Sequence, residues 1–84
     1  MRIYMQTQPS PEQPLRFYQL QLQQDLLGGW SLVRESGVQG GRGQVTKEYF
    51  SDRDEAIQKL IKRRDSQLRR GFHTVFREGM PSEV

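Results

Sequence analysis

The chain has 84 residues, room for one small domain and not for two. With 33% apolar residues, a core of this size buries only about 60–65% of the unfolded surface, so modest stability and no deep cavity are expected. The absence of cysteine and a single histidine, His73, exclude disulfide scaffolds, thiolate zinc sites, cysteine nucleophiles and a multi-histidine metal site within one chain. Thirteen Lys and Arg against ten Asp and Glu leave a net charge of +3.

Met1 to Gln6 alternates loosely, with Ile3 and Met5 on one side, and predicts a short edge strand. Residues 7–14 carry Pro9, Pro11 and Pro14 and predict an extended linker, because proline lacks an N–H and restricts the residue before it. Leu15 to Gln24 is the clearest strand. Tyr18, Leu20 and Leu22 fall on one face and Gln19, Gln21 and Gln23 on the other, the period of a strand with one buried side. Asp25-Leu26-Leu27-Gly28-Gly29 supplies turn chemistry. Trp30 to Glu35 resumes an extended pattern, with Trp30 and Leu32 on one face. Ser36 to Gly43 holds four glycines in eight residues and predicts a bent hairpin loop, the most mobile internal segment. Gln44 to Phe50 is the return strand.

Ser51 is placed to cap the one long helix, with Asp52, Asp54 and Glu55 at its positive dipole end. Ala56, Ile57, Leu60, Ile61 and Leu68 recur at helical spacing and form a stripe for the core. Gly71 suits the C-terminal end, Phe72 to Arg77 reads as a further short strand, and 79–84 as a frayed tail. The order predicts an α+β domain over 1–84, with its core at about 15–77. It is a twisted antiparallel meander with one long helix packed on one face. No apolar run approaches the length of a membrane helix, about 20 residues. The N-terminus turns polar too early for a signal peptide, so a cytoplasmic protein is expected.

The stretch Phe17-Tyr18-Gln19-Leu20-Gln21-Leu22, followed by Asp25-Leu26-Leu27-Gly28-Gly29-Trp30-Ser31-Leu32-Val33-Arg34-Glu35, resembles the WGR domain. So does Arg69-Arg70-Gly71-Phe72 at the end of a helix with an acidic start and a basic end. The resemblance is to bacterial members and covers roughly residues 15–73. The family is named for Trp-Gly-Arg in the hairpin loop, where this chain has Ser36, Gly37 and Val38. Gly40, Gly43 and Gln44 fit the rest of the loop pattern. In poly(ADP-ribose) polymerases the domain contacts a DNA end and neighbouring domains, partly through that Trp and Arg. Those two contacts have no counterpart at Ser36 and Val38.

From Ala56 to Arg77 there are seven basic residues and one acidic residue, Asp65, a local balance of 7 − 1 = +6 against +3 for the whole chain. Such asymmetry attracts a phosphate backbone, although a basic helix end also complements its own dipole. The candidate nucleic-acid contacts are Arg34, Arg42, Lys47, Arg63, Arg69 and Arg70. Arg42 stands near the tip of the glycine loop, where a backbone can approach a ligand closely or simply needs positive φ. No Gly-Lys pair exists for a Walker loop. Trp30 either stacks on a base or sits in the core; Tyr18, Tyr49 and Phe50 read as core, while Tyr4 and Phe17 cover an edge or meet a partner. No pair of carboxylates is placed around a substrate pocket. The expectation is a non-catalytic binding module with no cofactor, no metal and no membrane contact. It binds DNA or RNA weakly through its phosphates. The alternative is a protein-interaction module working through the exposed polar face of the sheet.

Overall fold

A computed structural model describes residues 1–81. The elements run β1 (Arg2–Thr7), β2 (Arg16–Gln24), β3 (Trp30–Val38), β4 (Gly43–Phe50), α1 (Arg53–Arg69) and β5 (Phe72–Glu78). They form one five-stranded sheet in the order β4-β3-β2-β1-β5, antiparallel throughout, with the helix on one face. This is the expected α+β architecture.

The alternation in β2 sets the layout. Tyr18, Leu20 and Leu22 turn toward the helix, and the register brings Leu20 beside Ile3 and Leu22 beside Leu32. Ile3, Met5, Leu20, Leu32, Ala56 and Leu60 are almost or wholly buried there, closed by Tyr18, Leu22 and Ile57. The first strand is not the edge strand its short pattern predicts. β5 returns after the helix and pairs with its outer side, so β1 is flanked by β2 and β5. That pairing is possible because α1 carries the chain back across the sheet.

Local chemistry fixes the connections. The proline-bearing segment joins β1 to β2, closed by the Arg16 N–H donating to Thr7 Oγ1 at 3.0 Å. Asp25 closes the β2–β3 turn: its carboxylate accepts from the Leu27 N–H at 2.9 Å and its own N–H donates to the Gly29 carbonyl at 2.8 Å. Gly28 supplies the positive φ of 96° that this turn requires. Leu26 and Leu27 point straight into solvent.

The glycine-rich segment is shorter as a loop than its composition predicts. Ser36, Gly37 and Val38 complete β3 and Gly43 opens β4, leaving only residues 39–42 as the turn. The reason is a close approach of backbones: a Cβ on Gly37 would lie 2.8 Å from the Arg42 carbonyl oxygen and 3.1 Å from the Gly43 Cα. The glycines here permit a paired hairpin instead of dissolving it.

The helix begins one residue later than expected. Asp52, not Ser51, is the cap, accepting from the Asp54 N–H at 3.2 Å. Gly71, at φ 97°, ends the helix as its position predicts. Ala56, Ile57 and Leu60 face the sheet, but Leu68, in the last helical turn, is 43% exposed. Tyr49, expected in the core, is 69% exposed, since Glu48 and Phe50 take the helix-facing positions in β4. Trp30 and Phe50 pack on the core's margin, with the Arg53 guanidinium 5.8 Å above the indole. Of the expected tail, Met80 packs against the core; residues 82–84 lie outside the described residues.

The face away from the helix is not simply polar. Phe17, Tyr4 and Phe76 form a ladder across β2, β1 and β5, with centroids 6.1 and 6.2 Å apart and planes within 11° and 23°. Arg2 lies 4.8 Å over Phe76, and the Tyr4 hydroxyl donates to Gln39 Oε1 at 3.0 Å. Tyr4 and Phe17 thus cover the sheet's outer side.

Candidate nucleic-acid interface

Two adjoining clefts lie between the basic end of α1 and the helix-facing side of β2, β3 and β4. One, of about 370 Å³, is lined by Tyr18, Arg34, Lys59, Lys62, Arg63, Ser66, Gln67, Arg69 and Arg70. The other, of about 500 Å³, shares Tyr18, Arg34, Gln67 and Arg70 and continues toward Arg16, Ser36, Gln44 and Thr46. Among the described residues no carboxylate lines either cleft.

The register explains why Arg34 belongs here. It pairs with Leu20 on one side and Thr46 on the other, so its side chain leaves the sheet on the helix side. Its Nε donates to Thr46 Oγ1 at 3.0 Å, which holds the guanidinium along the cleft floor. From the opposite wall, Lys59, Lys62, Arg63, Ser66 and Arg70 arrive at spacings of three and four, a single stripe beside the apolar one. Arg69 joins at the helix end.

Not every cation is equally free. Arg63 is paired with Glu48 of β4 through Nε, at 2.7 Å, and Nη2. Arg64 turns aside and binds Asp65 at 3.0 Å. Seven cations line the two clefts (Arg16, Arg34, Lys59, Lys62, Arg63, Arg69, Arg70), and Glu48 offsets one, leaving 7 − 1 = +6. Like charges held this close repel one another, so a bound anion lowers their mutual repulsion as well as pairing with them.

Of the six candidate contacts, Arg34, Arg63, Arg69 and Arg70 come together in this cleft. Lys47 does not: it pairs with Val33, one position out of phase with Glu48, and leaves on the outer face of the sheet. Arg42 stands exposed in the β3–β4 turn and lines neither cleft. Lys59 and Lys62, counted in the basic helix end but not among the six candidate contacts, join them here, as their helical spacing from Arg63 implies. Arg16 also lines the cleft, and its place follows from the sheet register alone.

The site offers guanidinium and ammonium groups with hydroxyl and amide side chains between them. That inventory suits phosphate oxygens, to which Arg presents a planar fork and Lys a point charge. Among the described residues there is no group of three His, Asp or Glu that could hold a metal ion, and no helix is long and apolar enough to cross a membrane.

Comparison with curated proteins and with solved structures gave no match. The family model of the WGR domain matches residues 1–78, from the first strand to the last and beyond the segment that carries the resemblance in sequence. By that match, over nearly its whole length, the chain belongs to the WGR domain family.

Proposed function

We propose that this chain is a non-catalytic nucleic-acid-binding module that holds the DNA phosphate backbone in the cleft between α1 and β3. The observation that carries this reading is the cleft itself: seven cations from the helix, β2 and β3 surround a space whose lining contains no carboxylate. Membership of a family of nucleic-acid and protein interaction modules supports the same direction.

The mechanism is electrostatic. Cations that neutralise phosphates release condensed counterions, and this supplies most of sequence-independent affinity. Arg34 is fixed from the floor by Thr46, while Lys59, Lys62 and Arg70 reach from the wall with their stems along the helix. A backbone laid along the cleft meets three or four of these groups at once. Non-specific dissociation constants of about 10⁻⁴–10⁻⁶ M follow for such an interaction. Ser36 and Val38 replace the family's Trp and Arg, so stacking on a chain end has no side chain at those positions and little preference for ends is expected.

Fluorescence polarisation of labelled DNA and RNA oligonucleotides tests the reading. Changing Arg69 and Arg70 together to Glu reverses two charges on exposed side chains, outside the buried core. Binding by the wild type and its loss in a folded double variant are expected. Wild-type binding that the double variant leaves unchanged removes this cleft as the site and leaves the protein-partner reading.

A further inference from the structure

The outer side of β4 is a free strand edge, and its sequence is complementary to itself. The direction of its backbone groups follows from the neighbouring ladder. At the two ends of the β2–β3 pair, Gln39 donates its N–H to the Leu15 carbonyl at 2.7 Å, and the Gly29 carbonyl accepts from Asp25 at 2.8 Å. Odd-numbered residues of this strand therefore bond to β2, and the even-numbered ones, Trp30 to Ser36, bond to β4. Their partners are Phe50, Glu48, Thr46 and Gln44. Gly43, Val45, Lys47 and Tyr49 consequently turn their N–H and C=O groups outward, where nothing among the described residues pairs with them.

Exposed edges are commonly blunted by proline, a bulge or several charges. The other edge, β5, pairs with β1 through a register shift at Tyr4/Met5 and ends in Arg77 and Glu78. β4 has no proline and no register shift; of its two charges, Glu48 is paired with Arg63 and Lys47 stands on the outer face beside Val45 and Tyr49, which are 56% and 69% exposed.

We propose that β4 pairs antiparallel with β4 of a second copy of this chain, about a two-fold axis at Thr46. That register uses all four outward-facing residues: Gly43 meets Tyr49 of the other copy and Val45 meets Lys47, giving about eight hydrogen bonds in all. The remaining facing pairs are Thr46 with Thr46, which is favourable across strands, and Gln44 with Glu48, which opposes no like charges. Centring the axis on Lys47 sets lysine against lysine, and centring it on Glu48 sets carboxylate against carboxylate. Only the Thr46 register has full overlap without like charges directly opposed. The pairing gives Lys47, which stands away from the cleft, a place in the molecule. It also sets the clefts of both copies on the same face of one continuous sheet, either side of the axis.

Sedimentation equilibrium of the chain without nucleic acid, from about 5 to 500 µM, tests the proposal separately from DNA binding. The wild type is expected to pass from 9.9 kDa toward twice that mass. Val45→Glu faces Lys47 of the other copy and tightens the dimer, while Val45→Lys weakens it, each by about two- to thirtyfold because the pair occurs twice. Val45→Pro removes an outward N–H and abolishes the dimer; should it disturb the fold by circular dichroism, the opposite responses to Glu and Lys decide alone. A wild type that stays monomeric, or a dimer whose dissociation shifts in the same direction with Glu and Lys, overturns the proposal.

Discussion

Replacing Gly37 by alanine adds one methyl group where two backbones meet. The new Cβ would lie 2.8 Å from the Arg42 carbonyl oxygen and 3.1 Å from the Gly43 Cα. Neither is the end of a flexible side chain, so relief requires β3 and β4 to separate at their turn. Overpacking of this kind costs about 1–3 kcal/mol, and the stiffer unfolded chain returns about 0.4–1 kcal/mol. The net loss is about 1–2 kcal/mol. For a domain of this size that lowers Tm by roughly 5–15 °C. Gly41→Ala is the control in the same turn, because its Cβ would stand 3.4 Å from the Val38 carbonyl oxygen, near ordinary contact. Thermal melts by circular dichroism read both variants. If Gly37→Ala melts with Gly41→Ala and the wild type but loses DNA affinity, the glycine serves ligand approach and the packing argument is refuted.

Other positions give sharper contrasts. Leu60→Ala removes a wholly buried side chain from the helix–sheet contact and should cost about 2–5 kcal/mol, whereas Leu68→Ala, at 43% exposure, should cost under about 1 kcal/mol in the same denaturant titration. Asp52→Ala deletes the cap of α1 and should cost about 1 kcal/mol, with Ser51→Ala near zero; the reverse order would restore Ser51 as the cap. Glu48→Gln removes the carboxylate that holds Arg63 and should strengthen DNA binding severalfold in polarisation assays; weaker binding would mean that Glu48 shapes the cleft more than it neutralises it.

Much of this fold is legible in the sequence where a single periodicity decides. The strict alternation of Tyr18, Leu20 and Leu22 sets β2 and its buried face, and the acidic start, apolar stripe and Gly71 bound the helix. What escapes is decided by partners remote in sequence. The place of β1 inside the sheet depends on β5 returning beside it, about 70 residues later. The strand character of Gly37 depends on two backbones needing the same narrow space, and Gly43 leaves room for the Phe17 and Glu35 side chains. Leu68 follows the helical spacing faithfully and is 43% exposed all the same. The site divides in the same way: the basic stripe on the helix can be read by spacing, but Arg34 and Lys47 separate to opposite faces by register alone.

The salt dependence of DNA binding tests the central claim most directly. Each duplex phosphate contact contributes a slope near −0.9 in log K against log salt, so three or four contacts give about −3. Raising salt from about 50 to 200 mM should then weaken wild-type binding by roughly 40- to 150-fold. The two cations shared by both clefts, Arg34 and Arg70, should account for about two units of that slope, so the Arg34→Gln, Arg70→Gln variant should fall to about −1. A variant slope equal to the wild type's, or wild-type binding indifferent to salt, would contradict a phosphate backbone held between α1 and β3.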